Sequence, residues 1–158
     1  MTDPSHSLAI LADVSWTRRN ECEGFRVGIV ATPRRVSLDR KRQESILAAL
    51  RRVGGDLPTA ASLADYCPDP LAFALESGLP RPQMLDRLIE GASEWIEEAQ
   101  VPDGPLTAVS TFTEFAAGRD KDGRGVARLT YETVFYKTGR GNRIGCARGV
   151  GFCLEEPA

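Results

Sequence analysis

The chain has one histidine, and it is the sixth of 158 residues. A histidine-based triad, a HExxH zinc site and a core histidine acting as general base are therefore all absent. Lysine is nearly missing too: Lys41, Lys121 and Lys137 stand against 17 arginines. This arginine preference reads first as coding bias and second as phosphate recognition. The four cysteines, Cys22, Cys67, Cys146 and Cys153, form no CxxC pair and are expected to be reduced thiols. Zinc on cysteine alone would need four convergent thiolates, which these spacings do not suggest, so no metal and no cofactor are expected. No GxxxxGK[ST] motif occurs, and the glycine-rich residues 139–145 do not precede a helix as a dinucleotide fingerprint would. No apolar run approaches the length of a membrane span, and no basic-then-apolar leader is seen, so a cytoplasmic protein away from membranes is expected.

What is there is ordinary for a folded domain. Hydrophobic residues make up 42% and charged residues 27%, with a net charge of −2. The length fits one domain with a sizeable core, with a frayed start over residues 1–7. The near-neutral balance gives no footprint of a general nucleic-acid binder.

Residues 106–155 organise the reading. Three β-rich runs, 106–117, 125–137 and 144–154, are separated by turn chemistry in 118–124 and 138–143, where Asp-Gly, Gly-Arg-Gly and Asn tolerate positive φ. This pattern predicts an antiparallel meander. Pairing Lys137 with Ile144 and Ala117 with Arg124 sets Leu129 beside Phe152, Tyr131 beside Val150 and Phe112 beside Leu129. The core face is then Leu106, Phe112, Leu129, Tyr131, Phe135, Val150 and Phe152, packed by Leu85, Leu88, Trp95 and Ile96. The other face carries Thr111, Thr113 and Phe115, then Arg128, Thr130 and Glu132 with Tyr136, and opposite them a glycine strip ending at Cys153. Three readings of that face are open: the solvent side of a half-buried sheet, a ligand floor, or a strip on which a helix lies close.

Upstream, residues 7–16 and 25–32 are expected to form an N-terminal β-hairpin. A helix capped by Ser37 or Asp39 runs to Val53, where Gly54-Gly55 stops it. A short helix follows from Thr59 to Tyr66, and another from Pro70 to Gly78. The main helix is expected over residues 83–100, because Leu85, Leu88, Ile89, Ala92, Trp95, Ile96 and Ala99 follow the helical period. The expected fold is therefore α+β: an N-terminal hairpin, a helical middle of three to four helices, and a C-terminal three-stranded meander in one sheet packed on the main helix.

Function is read in three ways. The first is a non-catalytic binding or assembly subunit, favoured by the lack of a core histidine. A net +5 over residues 33–55 against −4 over residues 83–100 suits a protein partner or self-association into a homo-oligomer. The second is a small-ligand protein or enzyme. Arg128 and Glu132 would be its working groups, with Thr130, Thr111, Thr113, Tyr136 and Cys153 lining the site. Arginine would grip an acidic or phosphate-bearing ligand through paired hydrogen bonds, and Glu132 would serve as base if buried. The order of elements resembles, in topology alone, a hotdog-like fold, which would imply an acyl-thioester site there. The third reading is a helix-turn-helix over residues 71–91, with Ala74 and Gly78 in suitable places. Its second helix is acidic, which DNA phosphates would repel, so nucleic acid is the least favoured partner.

Overall fold

The computed structural model describes residues 13–38, 40–54, 61–138 and 141–155, without the side chains of 40–43 and 46. The expected frayed start, most of the first expected strand and the caps at Asp39 and Thr59 lie outside the described residues. The molecule is mostly β. Its strands are β1 (Thr17–Arg19), β2 (Glu21–Cys22), β3 (Phe25–Arg26), β4 (Arg34–Val36), β5 (Leu88–Glu97), β6 (Leu106–Arg119), β7 (Gly125–Lys137) and β8 (Arg143–Leu154). Among the described residues three helices interrupt them: α1 (Arg40–Arg52), α2 (Leu63–Tyr66) and α3 (Pro70–Leu75). The α+β layout with a helical middle is thus not what forms.

The main helix expected over residues 83–100 is a single 3-10 turn, Gln83–Arg87, followed by β5. Every pair along β5 is made to β8, from Leu88 with Cys153 to Glu97 with Gly145. The helical spacing of apolar residues was real, but Ile89, Gly91, Ser93, Trp95 and Ile96 carry little helix propensity. The open edge of a long strand competes for the same segment and wins. The helix-turn-helix loses its second helix for the same reason.

The large sheet runs β1-β6-β7-β8-β5, with β4 also on β6. The expected N-terminal hairpin is reduced to β2 and β3, joined by Glu23 and Gly24 at positive φ. The rest of that region lines the free edge of β6 piece by piece. β4 pairs with residues 106–108, Val30 bridges Thr111, and β1 pairs with residues 115–117.

Both expected registers shift. Leu129 meets Gly151 and Tyr131 meets Gly149, one residue from the expected pairing of β7 with β8. That slip turns Val150 and Phe152 outward and brings the glycines onto the core side, because side chains alternate faces. In β6 an irregularity at Thr113 puts both Phe112 (opposite Tyr131) and Phe115 (opposite Leu129) on the inner face.

The glycine strip lies beneath the helices, the third of the readings above. A Cβ on Gly149 would come within 2.6 Å of Leu71 Cα and overlap its amide nitrogen, so α3 seats on bare backbone. Asp69 accepts a hydrogen bond from the Ala72 amide at 3.2 Å and Pro70 opens the first turn, which fixes where α3 begins. The Phe73 ring packs tilted against Phe135, centroids 5.9 Å apart, and Phe135, Leu129, Leu106 and Leu63 are wholly buried. Between the two halves of this core, Ser110 Oγ and Thr133 Oγ1 satisfy each other at 2.7 Å. Among the described residues no helix is long and apolar enough to cross a membrane.

Candidate functional site

The outer face carries the predicted charged groups, and each is already engaged. Arg128 Nη2 donates to Glu114 Oε1 at 2.6 Å, and Arg18 joins the same carboxylate at 3.4 Å. Arg148 Nη2 donates to Glu132 Oε2 at 3.1 Å, and Nη1 reaches Glu94 at 3.3 Å. Two ladders thus cross the strands, Arg18–Glu114–Arg128 and Glu132–Arg148–Glu94, with no net charge. The Arg128 guanidinium also lies over the Trp16 ring at 4.7 Å. Arg128, Thr130, Glu132 and Thr113 line an open groove of about 520 Å³ on this face. Thr113 Oγ1 donates to the Thr130 carbonyl at 3.1 Å. Thr111 and Tyr136 share the face, half-buried, but lie outside the groove. Cys153 points to the opposite face, where it packs with Cys22, Leu85 and Tyr131. The structure therefore brings four of the seven predicted residues together and not the other three.

A different concavity opens on the inner face, at the end of the sheet that the helices leave uncovered. It measures about 420 Å³, within the range of small-molecule clefts. Its floor is apolar: Phe115 and Ala117 from β6, Ala127 from β7, Cys153 from β8 and Met84 from the 3-10 turn. Three arginines rim it. Arg19 comes from β1, Arg87 from the end of the 3-10 turn and Arg119 from the end of β6, and the acid among the lining residues is Glu155. Among the described residues Arg19 and Arg87 enter no ion pair, and Arg119 Nη1 donates only to the Gly123 carbonyl at 2.9 Å. Cations without a carboxylate partner beside apolar surface mark this cleft, whereas on the outer face Arg18, Arg128 and Arg148 are matched by carboxylates.

The walls are built locally. Glu23, at the tip of the β2–β3 hairpin, accepts hydrogen bonds from the Gln83 and Met84 amides, each at 2.9 Å. Its carboxylate caps the first turn of the 3-10 helix and ties that wall to the sheet. Burial pushes the Cys153 thiol up to about 11, with Arg87 pulling the other way and Glu23 adding to the rise. Cys22 beneath is likewise pushed up to about 11, by burial first and then by Glu23 and Cys153. Both are protonated at neutral pH and unsuited as nucleophiles: Cys153 is apolar lining, and Cys22 packs in the core beside it. Tyr131 is buried, its hydroxyl without a hydrogen-bond partner among the described residues, and burial raises its pKa strongly. Among the described residues no three His, Cys, Asp or Glu side chains converge as metal ligands would.

Sequence reasoning placed none of Arg19, Arg87 and Arg119 in a site. Arg19 sits in a stretch read as a turn, and Arg87 in the segment read as a helix. The wrong element in each case hid the face on which the side chain falls.

No family model matches the chain, and no curated protein matches it. A solved structure described as a monoamine oxidase regulatory protein from Archaeoglobus fulgius is similar over 85% of this chain and 94% of its own. The identity is 16% and the TM-score 0.46.

Proposed function

We propose that the chain is a non-catalytic binding protein for a small amphipathic anion, held in the inner-face cleft. The observation that carries this reading is the pairing of an apolar floor with Arg19 and Arg87, two arginines without a carboxylate partner among the described residues. An alkyl or aryl portion would cover Phe115, Ala127 and Met84, while a carboxylate or phosphate would meet the arginine fork through charge-assisted hydrogen bonds. The protonated thiols beneath supply no nucleophile and no base, which favours binding over catalysis.

Titration calorimetry tests it with four probes. Octanoate and octyl phosphate are expected to bind. Octanol and inorganic phosphate, each carrying only one half of the recognition chemistry, are expected to bind far more weakly. Arg19→Ala and Arg87→Ala should each weaken octanoate binding by about tenfold or more, the worth of a lost charge-assisted hydrogen bond. No binding by either amphipathic probe, or affinity unchanged in both variants, would contradict the reading.

A further inference from the structure

The two edges of the large sheet are treated differently. On the β6 side the edge is lined in succession by β4, the Val30 bridge and β1, with Gly28 and Ala31 amides donating to Phe112 and Ser110 carbonyls between them. On the other side β5 is ten residues long and pairs only with β8 among the described residues. Residues 91–100 are exposed throughout. Leu88, Trp95 and Ile96, all on β5, are 44%, 37% and 39% exposed. A long edge strand with apolar side chains and no proline is a template for another strand, because half of its backbone groups face outward unpaired.

We propose that the β5 edge pairs antiparallel with β5 of a second copy of this chain, about a two-fold axis at Ser93. The strand's own side chains argue for this occupant. Two copies that keep their helices on the same side of one continuous sheet must set inner-face residues opposite inner-face residues. Only pairings in steps of two residues satisfy that. An axis at Glu94 would place Glu94 against its own copy, and one at Ala92 would place Glu90 against Glu94, both repulsive. With the axis at Ser93, Glu90 faces Ile96, Ala92 faces Glu94, Ile89 faces Glu97 and Gly91 faces Trp95. No carboxylate then opposes another. Each Trp95 covers the bare backbone of the partner's Gly91, a favoured cross-strand use of an aromatic beside an edge glycine. The indole is fixed in orientation within its own copy, its Nε1 donating to the Cys67 carbonyl at 2.8 Å. Glu94 and Glu97 are likewise committed within one copy, to Arg148 and to the Leu63 amide.

The register makes the test sharp. Light-scattering mass on the full chain should give a dimer. In Ser93→Cys the two thiols would face each other directly, about 4.5–5.5 Å apart at Cβ, and mild oxidation should link the dimer covalently. Glu94→Cys, which faces Ala92 instead, should link far less. Gly91→Glu fills the seat of the partner's indole and should yield a folded monomer, with circular dichroism like that of the unaltered chain. A monomeric mass for the unaltered chain overturns the proposal and leaves the edge to another strand. A dimer in which Ser93→Cys does not link, in which Glu94→Cys links better, or which survives Gly91→Glu overturns it as well.

Discussion

At the scale of single residues, the account rests on which side chains are forced inward. Phe135 is wholly buried and packs at a tilt against Phe73, so Phe135→Ala is expected to cost about 3–5 kcal/mol in chemical denaturation, the usual loss for a buried aromatic. Gly149 makes the complementary case. Alanine there collides with the backbone of Leu71, so Gly149→Ala should destabilise by roughly 1–3 kcal/mol, an overpacking cost. An unchanged midpoint would mean that α3 does not seat on the strip. The thiols give a pH prediction. Cys22 and Cys153 titrate near 11 when folded, against 9.0 ordinarily. The unfolded chain therefore loses these protons first as pH rises. The stability owed to the neutral buried thiols is fully present below about pH 9 and is lost as pH rises through about 11. Denaturation midpoints measured from pH 8 to 11 should fall, and the fall should shrink in a Cys22→Ala, Cys153→Ala double variant.

At the scale of elements, the buried Ser110–Thr133 pair separates inner-face packing from polar satisfaction. Thr133→Val alone leaves the Ser110 hydroxyl buried without a partner and should cost about 1–3 kcal/mol; adding Ser110→Ala should recover part of that loss. A double variant worse than the single one would show that the pair is not isolated. The elements also show how much was legible in the chain. β-rich runs bounded by Asp-Gly and Gly-Arg-Gly located β6, β7 and β8, and Pro70 located the start of α3, because each rests on local chemistry. Segment 88–97 was not legible. Its apolar spacing satisfied a helix, and its fate was decided by the distant edge of β8. The registers failed for a related reason. A one-residue slip between β7 and β8, and the irregularity at Thr113, exchange which residues face inward, and neither leaves a mark in the alternation of side chains. The site inherited these errors. Arg128 and Glu132 were rightly put on one face, but the glycines assigned opposite them lie on the other, under the helices.

At the scale of the whole molecule, one sheet separates two surfaces of different character. On the outer face Arg18, Arg128 and Arg148 are spent on carboxylates of neighbouring strands, in two ladders that carry no net charge together. The inner face is filled by α2 and α3 at one end and left open at the other, where Arg19, Arg87 and Arg119 gather over Phe115, Ala127 and Met84. That asymmetry is the central claim, since it makes the uncovered end the place where an anion with an apolar body is held. Backbone amide shifts recorded during titration with octanoate test it most directly. The account predicts saturable shifts clustered at Arg19, Arg87, residues 115–119, residues 125–127 and Cys153, while Arg128, Glu132 and Arg148 stay in place. Shifts centred on the outer ladders, or none at saturating octanoate, would contradict it.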